Sequence, residues 1–156
     1  MRSVIGLVVS ITICLLAARM GARFTQVSIR NWYPLLHKPA WTPPNWLFPP
    51  AWITLYLMMA VAAWLVWRSF GFRGAAWALG LFGLQLVFNV AWSALFFGLQ
   101  KPGLAFVDIA LLWVLILATC LAFWQLDRTA GWLLVPYLVW VGYAAALNFA
   151  IWRMNE

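Results

Sequence analysis

Five long apolar runs leave this chain almost no choice of architecture. They cover about 4–24, 46–67, 75–98, 104–126 and 130–152, and Arg or Lys stands at or near their ends. Each is close to the roughly 20 residues that a helix needs to cross the hydrocarbon of a bilayer. Backbone groups in lipid must pair internally, and helices do that within one segment. The expectation is an all-α fold: an integral membrane bundle of five transmembrane helices in one domain, 1–156, with a loop over 25–45. The first run could instead be a cleaved signal peptide, since it has a basic start, a short apolar core and small residues. Its continuation to Phe24 makes it long enough to span, and it reads as a retained first helix.

Composition fits that frame. Of the residues, 67% are hydrophobic and only 8% charged, with a mean hydropathy of +0.92. The net charge of +7 comes from ten Lys and Arg scattered at the span ends. That is the placement of interfacial anchors, and it argues against a nucleic-acid partner, which needs a basic patch. Arg19 lies in the last turns of the first span and can snorkel to the interface. Five spans put Arg2, Arg68, Arg73 and Arg128 on one side and Arg23, Arg30, Lys38, Lys101 and Arg153 on the other. The positive-inside rule then leans toward a cytoplasmic C-terminus. Cys14 and Cys120 sit inside apolar runs as small hydrophobes, with no disulfide or metal spacing.

The connection between the first two spans is unusual. From Asn31 to Tyr56 the chain reads NWYPLLHKPAWTPPNWLFPPAWITLY, with Trp32, Tyr33, Trp41, Trp46 and Trp52 set among six prolines. Proline fixes φ and restrains the residue before it, so the segment is stiff and holds its aromatic rings as rigid plates. Such plates serve either as an interfacial belt or as a lid over a flat apolar ligand. Trp52, Tyr56, Met59 and Ala63 share one face of the second span. Gln85, Asn89, Trp92 and Phe96 form a stripe on the third. Amides facing lipid are costly, so this stripe points inward, either as hydrogen-bonding glue between helices or as the lining of a cavity. Asp108, near the start of the fourth span, is expected to cap that helix or pair with a base, with a proton relay as the alternative. Pro136 should kink the fifth span; beyond it Trp140, Ala144, Leu147 and Asn148 share a face.

Conventional catalysis has little to work with. His37 is the one histidine, and no nucleophile triad, metal cluster or phosphate loop can be drawn. His37 could ligate a haem iron or be a plain loop residue. The chemical endowment is aromatic: thirteen Trp and eleven Phe, with indoles able to stack, donate one hydrogen bond each and give up an electron.

The segment WYPLLHKPAWTPPNWLFPPAWITLY resembles the W-Y-x-x-L-x-K-P-x-W-x-P-P…W-x-x-L-Y signature of the translocator protein family. Its members are also called tryptophan-rich sensory proteins and peripheral-type benzodiazepine receptors. Two further matches follow in order: Gln85-Leu86, Asn89, Trp92 and Phe96-Phe97-Gly98, then Pro136-Tyr137-Leu138, Trp140 and Leu147-Asn148. Together they cover nearly the whole chain. The resemblance implies a five-helix bundle, usually dimeric, with a pocket beneath the first loop that takes porphyrins, haem or benzodiazepine-type drugs as ligands and holds no resident cofactor. Pocket-lining positions carried over are Trp32, Trp52, Asn89, Trp92, Trp140, Ala144 and Leu147; Tyr33 and Tyr56, their neighbours, are further candidate contacts. Where animal members have a Tyr in a sterol-recognition stretch, this chain has Phe149, which fits a bacterial member and disfavours cholesterol.

Two function classes follow. One is a membrane receptor, sensor or transporter of tetrapyrroles. The other is an enzyme degrading porphyrin with light and oxygen, in which Trp52 and Trp140 would be the catalytic electron donors. For assembly, Ala76, Gly80 and Gly83 give the third helix a small-residue stripe suited to a homodimer; Gly142 and Ala146 on the fifth offer a competing face.

Overall fold

The computed structural model describes residues 2–156. Met1 and the side chain of Arg2, one of the flanking charges noted above, lie outside the described residues. Five helices are long and apolar enough to cross a membrane: α1 (Arg2–Ser28), α2 (Phe48–Gly74), α3 (Ala76–Ser93), α4 (Pro102–Leu126) and α5 (Arg128–Met154). A π-helical turn, Ala94–Gly98, continues α3, and two short 3-10 turns, Tyr33–Leu35 and Asn45–Leu47, punctuate the first loop. The protein is a multi-pass all-α membrane protein.

The helix ends follow local chemistry. Pro102 opens α4, where a missing N–H costs nothing because the first helical donors have no intrahelical partner. Asp127 caps α5 by accepting the N–H of Ala130 at 3.0 Å. Near the end of α2 the backbone breaks at Gly71, whose φ of 64° suits glycine. The turn expected at 71–74 is therefore this break, and the helix resumes for a few residues to Gly74. On α5 the helix is continuous across Pro136.

The helices pack as a closed ring in the order α1, α2, α5, α4, α3 and back to α1. Within it α1 changes partner along its length. Its first half lies on α2: Ser10 Oγ donates to the Ala60 carbonyl at 2.7 Å, and Trp64 Nε1 donates to the Ser3 carbonyl at 2.7 Å. Gly6 permits this approach, since a Cβ there would sit 1.9 Å from the Trp67 ring. The second half lies on α3 and its π turn. A Cβ on Gly21 would be 3.2 Å from Ser93 Oγ, and the Ser28 hydroxyl donates to the Phe97 carbonyl. So α1 and α2 part company toward the loop end of the bundle and leave a wedge between them.

One expectation fails here. Asp108 neither caps nor pairs. It lies well past the first turn of α4, beyond the free N–H groups at the helix start, and is 8% exposed with its Oδ2 unpartnered. Among the described residues the one ion pair is Arg153 with Glu156. Both cysteines are buried and free, as expected of small hydrophobes.

Candidate functional site

The wedge is a cavity of about 490 Å³, within the roughly 300–1,000 Å³ range of small-molecule sites. From α1 it is lined by Ala18, Arg19, Gly21, Ala22, Thr25 and Gln26, and facing these on α2 stand Phe48, Pro49, Trp52, Ile53 and Tyr56. The back wall is Asn89, Trp92 and Ser93 of α3, Phe96 and Phe97 of the π turn, and Ala144, Leu147, Asn148 and Ile151 of α5. Tyr33, Ile29 and Asn45 close it at the loop.

Aromatic rings dominate the wall, and each is held by another. Trp92 stacks on Phe96 with centroids 5.5 Å apart, and Trp52 lies 5.9 Å from Tyr56. The π turn matters here. Its wider winding buries the consecutive residues Phe96 and Phe97 together. π-Helical turns are often found at functional sites. Tyr33 packs against both rings, 6.4 and 5.8 Å away. Burial, with the Tyr143 phenol adding to it, holds the Tyr33 hydroxyl above its ordinary pKa, so it stays neutral.

The base of the cavity is a polar network. The Tyr56 hydroxyl donates to Asn89 Oδ1. Asn89 Nδ2 donates to the Tyr137 hydroxyl at 2.8 Å, and that hydroxyl donates to Gln85 Oε1 at 2.8 Å. A second link runs from Trp92 Nε1 to Asn148 Oδ1 at 2.9 Å, and from Asn148 Nδ2 to the Pro102 carbonyl at 2.8 Å. The α3 stripe is thus both things the sequence allowed: Gln85 is interhelical glue, while Asn89 and Trp92 are glue and lining at once.

The loop is fastened on the α5 side. His37 and Asn155 exchange two hydrogen bonds of 2.9 Å through the His37 backbone, and the Tyr143 hydroxyl donates to the Trp41 carbonyl at 2.8 Å. Lys38 Nζ folds back to the carbonyls of Tyr33 and Leu36. The roof is therefore pinned. The way out lies to the side, where Arg19, Ala22, Gln26, Pro49 and Ile53 line the cavity and are also exposed.

Of the nine expected contacts, Tyr33, Trp52, Tyr56, Asn89, Trp92, Ala144 and Leu147 come together around this cavity. Trp32 and Trp140 do not line it. Trp32 rests edge-on to Phe96 at 5.6 Å. Trp140 meets Phe48 and Trp52 edge-on, at 6.0 and 6.5 Å, and reaches the cavity only through them. His37 is exposed and apart from the lining. No group of His, Cys, Asp and Glu that could hold a metal occurs among the described residues. The sequence reading missed the α1 wall; its signal was the spacing of Ala18, Gly21, Ala22, Thr25 and Ile29 on one helical face.

Residues 10–153 match the TspO/MBR family, and the chain belongs to that family. It is 42% identical to the tryptophan-rich protein TspO of Chlorobaculum tepidum, over 99% of this chain and 98% of that one. It is 43% identical to the tryptophan-rich sensory protein of Cereibacter sphaeroides, over 80% and 77% of the two chains. The human translocator protein is 40% identical over 88% of this chain and 82% of its own length.

The Tyr137 hydroxyl serves two partners on α3, so Tyr137→Phe strands a buried donor and a buried acceptor. In a thermal-denaturation double-mutant cycle with Asn89→Ala, a coupling of about 0.6–1.7 kcal/mol is expected, the range for hydrogen bonds between membrane helices. Strict additivity would mean that the Asn89–Tyr137 bond carries no stability.

Proposed function

We propose that this membrane receptor or sensor binds tetrapyrroles, protoporphyrin IX or haem, in the wedge between α1 and α2. The observation that carries the reading is the wall itself. Trp52, Trp92, Phe48, Phe96 and Tyr33 set flat rings around one apolar space, with Tyr56 and Asn89 as polar points at its base. A macrocycle offers faces for stacking and an apolar rim for burial. The names of two relatives, sensory protein and translocator protein, fit a ligand-responsive membrane role. Lipid is the second partner, covering the outward faces of all five helices.

An enzymatic reading has one observation in its favour. From Trp52 on the cavity wall, rings continue through Trp140 (6.5 Å) and Tyr143 (6.0 Å) to Trp41 (5.6 Å) in the loop. The excited porphyrin would take one electron from Trp52 and pass it to dioxygen, giving superoxide as the oxidant that consumes the ring, while the hole left on Trp52 moves along this row and ends on Trp41 in the loop. Trp140 would then be a relay and Trp52 the direct donor.

Two copies would pair through α3. Ala76, Gly80 and Gly83 are exposed, and a Cβ on Gly80 or Gly83 would meet nothing within 4 Å. Close approach over small residues is how helices associate in lipid. Gly142 is the weaker rival, since a Cβ there would already stand 3.1 Å from Trp113 Nε1 of α4.

The geometry separates the two central tryptophans. In a protoporphyrin titration read by tryptophan quenching, Trp52→Ala should weaken affinity about tenfold, the loss of roughly 1 kcal/mol of stacking and some burial. Trp140→Ala should cost less than about threefold. Unchanged affinity in a folded Trp52→Ala protein contradicts the site. Under illumination, porphyrin loss no faster than in buffer contradicts the enzymatic reading and leaves the binder. For assembly, Gly80→Leu should convert a dimer to a monomer by light scattering in mild detergent while porphyrin binding persists; a dimer that survives it places the interface elsewhere.

A further inference from the structure

Arg19 is the one charged side chain among the described residues that line the cavity. It stands at the open side, exposed, on α1 across from Pro49 and Ile53, the latter 52% exposed. By helix length it lies about 14 Å short of Ser28, at about 1.5 Å per residue. It is therefore inside the span rather than at its end, level with the first turn of α2. An ionisable residue within a span faces a cavity or a partner rather than lipid, and Arg19 is on the cavity lining.

The chain supplies no anion. Its three acidic residues are Asp108, Asp127 and Glu156, and none lines the cavity. The other polar residues of the lining, Thr25, Gln26, Asn45, Asn89 and Asn148 among them, are neutral. The rest of the wall is apolar and aromatic, so the cavity pairs a flat apolar interior with a single positive point at its lateral mouth.

We infer that Arg19 is the anion-binding residue of this cavity, selecting flat apolar ligands that carry a carboxylate at one edge and enter sideways from the lipid. The inference rests on the tetrapyrrole reading for the cavity being a ligand site, and it narrows that reading to the acid forms. The ring body slides between α1 and α2 onto Trp52 and Phe96, and the carboxylate stays at the mouth. There the planar guanidinium can take both of its oxygens in paired N–H···O bonds. A lipid phosphate offers similar chemistry, but the position of Arg19 on the cavity lining favours the ligand's own acid.

The test compares acid and ester of the same ring body in nanodiscs of phosphatidylcholine. Protoporphyrin IX is set against its dimethyl ester, and 1-pyrenebutyrate against its methyl ester, for the wild type, Arg19→Gln and Arg19→Lys. Partition into the disc is common to all three proteins and cancels when their acid-to-ester ratios are compared. Relative to Arg19→Gln, the wild-type ratio should favour the acid by about tenfold in both pairs, the scale of one charge-assisted contact. Arg19→Lys should retain part of that preference, since it keeps the charge and loses the fork. Equal ratios in wild type and Arg19→Gln, with binding intact, overturn the inference and leave tetrapyrrole binding standing. An Arg19-dependent preference for pyrenebutyrate, with neither porphyrin bound, upholds Arg19 and removes the tetrapyrrole reading. If no probe binds the wild type, both fall. If Arg19→Gln instead weakens a spin-labelled phosphatidylglycerol while the ratios stay equal, the guanidinium serves lipid phosphate and the inference is overturned.

Discussion

Inside a bilayer, a polar side chain without a partner is costly, and this bundle is built around satisfying four of them, two amides and two phenols, at one level. Tyr56 of α2, Gln85 and Asn89 of α3, and Tyr137 of α5 close on one another. Apolar burial alone gives little drive to fix the rotation of a helix in lipid, because lipid tails are as apolar as the core. The hydrogen bonds supply it. They set which face of α2, α3 and α5 turns inward, and so they aim Trp52, Trp92 and Ala144 at the same space. The cavity stands directly on this network, with Tyr56 and Asn89 belonging to both.

The second constraint is the crossing of α1. Ser10 and Gly6 hold its first half to α2, while Ser28 and Gly21 hold its second half to α3 and the π turn. A helix tied to one neighbour at one end and to another at the other must leave a gap between the two. Here the gap is roofed by a loop that is fastened to α5 through Asn155 and Tyr143. The prolines keep that loop from collapsing into the space, so the opening faces sideways.

Much of this was legible in the residues. The five spans follow from run length alone, with ends displaced by a few residues where apolar sequence gives way to turns. The Gln85–Asn89–Trp92 stripe marked an inward face because amides have nowhere else to go. Three things were hidden. The α1 wall was hidden because its one signal, the small residues Ala18, Gly21, Ala22 and Thr25 on one face, is faint on a helix whose other faces are also largely apolar. Trp140 shares a helical face with Ala144 and Leu147, yet Phe48 and Trp52 fill the space before it. Asp108 looked like a cap because it is near a helix start in sequence; the structure sets it too far along α4 for that.

On the proposed function, a tetrapyrrole sits in the wedge between α1 and α2, standing on the Tyr56–Asn89 base. Photolabelling reads this most directly: a diazirine-bearing protoporphyrin, irradiated with the protein in nanodiscs, followed by peptide mass spectrometry. Labels should concentrate in 18–29, along α1 and just beyond it, and in 48–56 of α2, and be competed away by unmodified protoporphyrin. Competable labels on the outward faces, around Trp77 of α3 or Trp132 of α5, would contradict this placement.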